Sequence, residues 1–188
     1  MIILLSGLSG AGKSTLSRNV KIESAKIGID TEIIDGDEYR SMICKDLSFS
    51  KQDRIENIRR LGFIASKFSA RGIVAIISAI SPYNEIRQEL INTYENVKIV
   101  HIDCPLQKLI ERDTKGLYKR AFLPKGHPDR VPNLTGINDD YEAPVQPDLY
   151  INTDENNLEK CVRTFSSFIV NNHFETQHKY HNTVTISA

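Results

Sequence analysis

The sequence predicts a doubly wound α/β domain: a five-stranded parallel sheet with helices on both faces and one long irregular insertion. Three observations carry this. Short runs rich in Ile and Val recur five times, patterns of helical spacing fill the intervals between them, and a Gly-rich string, GLSGAGKS, joins the first run to the first helical pattern. Near-continuous apolar runs fit parallel strands covered on both faces, and right-handed crossovers of helical length join such strands.

In chain order, strands are expected at residues 2–5, 31–34, 73–78, 97–102 and 149–151. The first helix, 13–27, places Leu16, Val20 and Ile27 on one side. The second, 51–70, brings Ile55, Ile58, Gly62, Ala65 and Phe68 to helical spacing, and further helices are expected at 85–94, 105–112 and 155–170. Two stretches break the alternation. Residues 113–147 contain five of the seven prolines and the basic run TKGLYKRAFLPKGHP; an irregular segment of that length reads as a functional lid. Residues 171–188 read as a polar tail beyond a single domain over 1–170. Its His173, His178 and His181 fit a solvated terminus better than a metal site, since no cysteine or carboxylate cluster joins them.

The bulk properties exclude several function classes. Lys and Arg total 24, as do Asp and Glu, so the chain has no net charge to favour nucleic acid or a membrane surface. No apolar run is long enough to span a bilayer, and the opening MIILLSG lacks the basic start of a signal peptide. Cys44, Cys104 and Cys161, odd in number and widely spaced, fit small buried hydrophobes in a reduced, cytoplasmic protein.

GLSGAGKS, residues 7–14, matches the G-x-x-x-x-G-K-[ST] phosphate-binding loop and lies between a strand and a helix, as the motif requires. Gly7, Gly10 and Gly12 let the backbone wrap around phosphate oxygens, with Leu8, Ser9 and Ala11 completing the loop. Lys13 is expected at the β- and γ-phosphates and the Ser14 hydroxyl at Mg²⁺, with Thr15 in the first turn. The chain therefore binds a nucleoside triphosphate. The guanine-reading string N-K-x-D does not occur, and DTKG at 113–116 follows a helix rather than a strand, so a small kinase acting on a small acceptor is favoured over a GTPase.

The acceptor side is read from three strings. IIDGDEYR, residues 33–40, sets two carboxylates around a glycine at a strand's carboxyl end, where ligands of open α/β sheets bind. Asp37 is the candidate to take the acceptor's proton or position Mg²⁺, with Arg40 one turn on; a helix cap with a surface arginine is the plain alternative. In DLSFSKQDRIENIRR, residues 46–60, Arg54 and Asn57 share a helix face and Phe49 precedes it, a set that suits an anionic, planar acceptor such as a nucleotide. A solvated helix face is the alternative there. AISPY, residues 79–83, leaves Ile80 and Ser81 at the sheet edge; Ser81 reads as a loop serine before a phosphoryl acceptor, because no activating base adjoins it. Asp103 fits either a metal-side carboxylate or a turn position.

GLSGAGKST, DGDEYR, LSFSKQDRIENIRR, ISPY, ERDTKGLYKRA and TGINDDYEAP occur in the order found in adenylylsulfate kinases, and the resemblance covers residues 2–154. It implies a P-loop kinase fold and transfer of the ATP γ-phosphate to the 3′-hydroxyl of adenosine 5′-phosphosulfate (APS), giving 3′-phospho-APS (PAPS) and ADP. Carried over by position, residues 7–15 hold ATP and Mg²⁺, the latter through Ser14 and Asp37, and Asp37 is the catalytic carboxylate alongside Lys13. Arg40, Arg54 and Asn57 bind the acceptor's phosphosulfate and ribose, and Phe49 stacks on its adenine. Ile80 and Ser81 line that pocket, Ser81 at the position given a phosphoenzyme role in the family. Arg112 and Asn156 lie near the ATP base, and Lys115 belongs to the closing lid. A cytoplasmic homodimer is the family-like default.

Two departures bear on the acceptor. The family usually reads G-F-T-G where this chain has Asn133-Leu134-Thr135-Gly136, so Leu134 replaces an aromatic that stacks on the APS adenine. The interval before that motif is also several residues longer. Two alternatives keep the phosphate loop: a kinase of the same fold for another nucleotide-like anion, and a non-catalytic ATP-binding regulatory module.

Overall fold

The computed structural model describes residues 1–184, with side chains described through residue 173. Five parallel strands, β1 (Ile2–Ser6), β2 (Thr31–Asp35), β3 (Val74–Ser78), β4 (Val97–Asp103) and β5 (Leu149–Asn152), form one sheet in the order β2-β3-β1-β4-β5. β1 lies at the centre, pairing Ile3 with Ile76 of β3 on one side and with Lys98 of β4 on the other. The chain reverses its winding at β1, so the crevice at this strand's carboxyl end is where a ligand is expected.

Alternation along β1 sorts its side chains to opposite faces. Ile3 and Leu5 join Ile76, Val100 and Ile102 beneath α1 (Lys13–Lys26) and α7 (Leu158–Val184), where Leu16, Val20, Cys161, Phe165 and Ile169 are buried. Ile2 and Leu4 join Ala75, Ile77 and Ile99 beneath α3 (Lys51–Ser69) and α4 (Asn84–Thr93), where Ile58, Leu61, Ala65, Ile86 and Leu90 are buried. Full burial of a side chain such as Phe165 contributes roughly 2–3 kcal/mol. Gly62 of α3 permits the close approach of α4, since a Cβ there would stand 2.9 Å from Leu90 Cδ2. All three cysteines are free and buried, and burial pushes the thiols of Cys104 and Cys161 above their ordinary range.

Three elements depart from the sequence expectation. A short helix, α2 (Gly36–Met42), follows β2 directly, because the Asp35 carboxylate caps it by accepting from the amides of Asp37 (3.0 Å) and Glu38 (3.4 Å). After α5 (Leu106–Arg112), the basic segment contains one further short helix, α6 (Leu117–Ala121), entered through Gly116 in the left-handed region and held at its start by Asp113, which accepts from the amides of Tyr118 and Lys119. The last helix begins at Leu158 rather than 155, since Asn152 folds the preceding residues into a turn and Asn157 caps the helix at the Lys160 amide. It then continues past 170, where the polar tail was expected to start; His178 and His181 lie outside the described side chains. Among the described residues no helix is long and apolar enough to cross a membrane.

Candidate active site

The phosphate loop is shaped by its glycines and by what they touch. A Cβ on Gly7 would lie 2.2 Å from the Ile102 carbonyl oxygen, so β1 leaves the sheet against β4 only with glycine there. Gly12, at φ 99, turns the chain into α1. Lys13 is buried beneath the loop and donates to the carbonyls of Gly7 (2.7 Å) and Leu8 (2.8 Å). Burial, followed by the charge of Lys115, lowers its pKa to about 7. Ser14 Oγ donates to Asp35 Oδ2 across 3.0 Å and lies 3.4 Å from Ser78 Oγ.

A cavity of about 740 Å³ opens over this loop. Its floor is Ser9, Gly10, Gly12, Lys13, Ser14 and Thr15. Asp35 and Asp37 line it at the end of β2, while Phe49, Arg54, Ile80, Lys115 and Leu134 line the remaining walls. Residues from six separate parts of the chain thus meet in one crevice at the carboxyl edge of the sheet. Phe49 is half exposed, with the Arg54 guanidinium 5.4 Å from its ring centroid, whereas Leu134 is 6% exposed and packs into the core on the α1 side.

Arg54 is the most heavily engaged of these residues. Its Nε donates to the Phe49 carbonyl (3.1 Å) and pairs with Asp139 (2.9 Å), and Nη2 donates to the Asn133 carbonyl (2.6 Å). The α3 side of the cavity is thereby fastened to residues 133–139 of the 113–147 segment. Lys115, from the other end of that segment, donates to Asp37 Oδ2 across 2.6 Å.

Several expected residues stand back from the cavity wall. Gly7 donates its amide to the Ile80 carbonyl (3.2 Å), Leu8 packs toward Gly136, and Ala11 is buried in the core. Arg40 donates to the Ser48 carbonyl (2.8 Å) and lies over the Phe49 ring, 4.7 Å from its centroid. Asn57 is buried one turn beyond Arg54. Ser81 is buried at φ 46, a backbone state costing about 1 kcal/mol or more outside glycine. Arg112 donates to Asp154 (3.0 Å), and Asn156 Nδ2 to the Asn152 carbonyl (2.8 Å), both in the turn whose Thr153 lies beside Gly12.

Asn57 Oδ1, Ser81 Oγ and Thr135 Oγ1 are buried without hydrogen-bond partners among the described residues. Buried polar atoms are ordinarily satisfied; of these three residues Thr135 lines the cavity and Ser81 directly follows the wall residue Ile80, which is consistent with a polar ligand there. Sequence reasoning missed Asp35 as the neighbour of Ser14; its place as the last residue of β2 is the signal that could have found it. It also missed Ser78, which lies in no motif, and gave no role to Thr114, Asn133 and Thr135, which line the wall from within the family strings. Asp103 is engaged elsewhere, accepting from the Tyr150 hydroxyl (2.7 Å).

A family model described as adenylylsulphate kinase matches residues 1–152. The adenylyl-sulfate kinase of Microcystis aeruginosa is 42% identical over 160 residues, 85% of this chain and 86% of that protein. That of Chloroflexus aurantiacus is 40% identical over 162 residues, 86% and 84% of the two chains. Among solved structures, the APS kinase of Mycobacterium tuberculosis in complex with AMPPNP and APS superposes with a TM-score of 0.81 at 31% identity, over 89% of this chain and 96% of that one. Shikimate kinase of Aquifex aeolicus, at 20% identity and a TM-score of 0.51, shares the fold.

Proposed function

The chain belongs to the adenylylsulfate kinase family, and from that premise we propose how its residues divide the work of the reaction. The protein transfers the γ-phosphate of ATP to the 3′-hydroxyl of APS, yielding PAPS and ADP. The observation that carries this reading is the single cavity lined both by the phosphate loop and by the Phe49, Arg54 and Leu134 walls.

ATP lies with its phosphates over Ser9–Thr15, where loop amides and the start of α1 offer positive ends of dipoles. Lys13 exchanges its two carbonyl contacts for phosphate oxygens and gains the charge that burial suppresses. Arg112 and Asn156 hold the 152–156 turn on which the ATP base rests. APS enters the other side, its adenine against Phe49 with Leu134 packing beside it. Arg54, and Arg40 over the Phe49 ring, supply positive charge to the phosphosulfate, while Asn57 and Ser81 offer their free polar atoms to the acceptor. Asp37 accepts the proton of the 3′-hydroxyl. Phosphoryl transfer rests chiefly on positioning and neutralisation, so holding that hydroxyl in line matters more than base strength. Lys115 closes the lid over both anions and excludes water.

Mg²⁺ fits at Ser14 and Asp35, a hydroxyl and a carboxylate one hydrogen bond apart at the phosphate end of the cavity. Asp37, first placed with Ser14 at the metal, is drawn instead to Lys115 and the acceptor. When bound, the ion neutralises the β- and γ-phosphate oxygens.

We assign the protein to the cytoplasm, in keeping with three buried free thiols, and the active unit to a homodimer. Light scattering across a dilution series tests the dimer; a monomeric mass at all active concentrations contradicts it. Phosphorus NMR of the product tests the reaction: a new phosphate monoester on the 3′-carbon is expected, and phosphate at any other position would overturn the assignment.

A further inference from the structure

Resting on the acceptor pocket proposed above, we infer that Arg87 is a positioning residue for APS, its guanidinium locking the β3–α4 turn to the root of the lid. Arg87 is 3% exposed and is not on the cavity wall. Its acceptors are all neutral and come from the end of β1, the β3–α4 turn, the start of α4 itself and residue 142. Nη1 donates to the Ser81 carbonyl and to Ser6 Oγ (3.3 Å); Nη2 donates to the Glu142 carbonyl and to Asn84 Oδ1 (2.6 Å). A buried guanidinium spent on carbonyls is costly unless it fixes something, and the two carbonyls it joins lie 61 residues apart in sequence, at positions 81 and 142.

The neighbouring bonds show what is fixed. The Glu142 amide donates to the Pro82 carbonyl (2.8 Å), and the Asn84 amide to the Glu142 carboxylate (2.6 Å). Ser6 Oγ donates to the same Ser81 carbonyl (3.2 Å) and shares a hydrogen bond with the Tyr141 hydroxyl (3.0 Å). Ser81 itself stands at φ 46, a conformation that the surroundings must impose on a residue with a Cβ. Immediately before this turn, Ala79 and Ile80 line the cavity; shortly before the lid root, Asn133, Leu134 and Thr135 line it from across. Arg87 thus sets the separation of two acceptor-side walls without touching the acceptor. The fork of a guanidinium reaches both carbonyls at once, which one ammonium cannot do in fixed geometry.

The test uses Arg87→Lys and Arg87→Met in the full chain, with kcat and KM measured separately for APS and ATP and ADP affinity measured by calorimetry. The Lys variant is expected to raise the KM for APS about tenfold or more, and the Met variant further, the scale of lost charge-assisted bonds. KM for ATP and ADP affinity should stay within about twofold. An unchanged KM for APS in both variants overturns the inference. So does a parallel loss of ADP affinity, or failure of both variants to fold, because Arg87 would then serve the whole fold. Absence of APS turnover in the unsubstituted protein would instead remove the acceptor reading beneath it.

Discussion

Lys115 and Asp37 meet across 2.6 Å, joining the basic end of the 113–147 segment to the carboxylate proposed to take the acceptor's proton. Lys115 also lowers the pKa of Lys13, so its ammonium acts on the phosphate loop and on the acceptor side together. Of the basic residues in segment 114–128, Lys115 lines the cavity, which fits the role proposed for that end of the segment over two anionic substrates.

Replacing Asp37 by Asn removes the proton acceptor while keeping the shape of the side chain. Turnover with APS should fall about a hundredfold or more, with ADP affinity changed less than about threefold. Steady-state kinetics with calorimetry separates the two, and an unchanged turnover number would remove Asp37 from the mechanism.

Lys13 offers a pH signature. Its pKa in the free protein is about 7, so at pH 8 it is largely neutral, and a bound triphosphate restores the charged form. ATP binding at pH 8 should therefore take up about one proton, and binding below pH 6 almost none. Calorimetry in buffers of different ionisation enthalpy reads this directly. The unfolded lysine keeps its proton to about 10.5, so the Lys13 contribution makes the free protein more stable as pH rises from about 7 toward that value. Lys115→Ala removes a like charge and should shift the uptake to higher pH.

Leu134 both packs the core and lines the cavity. Leu134→Phe should lower the KM for APS several-fold, since stacking on a base is worth about 1–3 kcal/mol. Leu134→Ala should destabilise the protein by about 2 kcal/mol or more in urea unfolding. If the Phe variant binds APS no better, the pocket is not limited by the missing aromatic.

Arg54 and Asp139 form a half-buried link between α3 and the proposed lid segment. Asp139→Asn should raise the KM for APS a few-fold, and Arg54→Lys more strongly, because lysine cannot serve Phe49, Asn133 and Asp139 together. Equal, small effects from both would show that the link does not shape the pocket.

The strands and most helices were legible because apolar periodicity and the phosphate-loop motif act locally. Asp37, Phe49, Arg54 and Leu134 were also legible, since motif order carried them to one cavity. The pairing of Ser14 with Asp35 was not, because it depends on β2 lying two strands from β1, a fact of topology rather than of spacing. The role of Arg87 was hidden for the same reason: its acceptors come from β1, the β3–α4 turn and the lid. Helix α2 was legible only as the alternative reading of a helix cap, because seven residues leave little periodicity to read.

The most direct measurement is ADP release in a coupled assay, with APS compared against AMP and CMP as acceptors. The account predicts Mg²⁺-dependent turnover with APS and far slower turnover with the sulfate-free nucleotides. Turnover on one of those nucleotides with none on APS would contradict it.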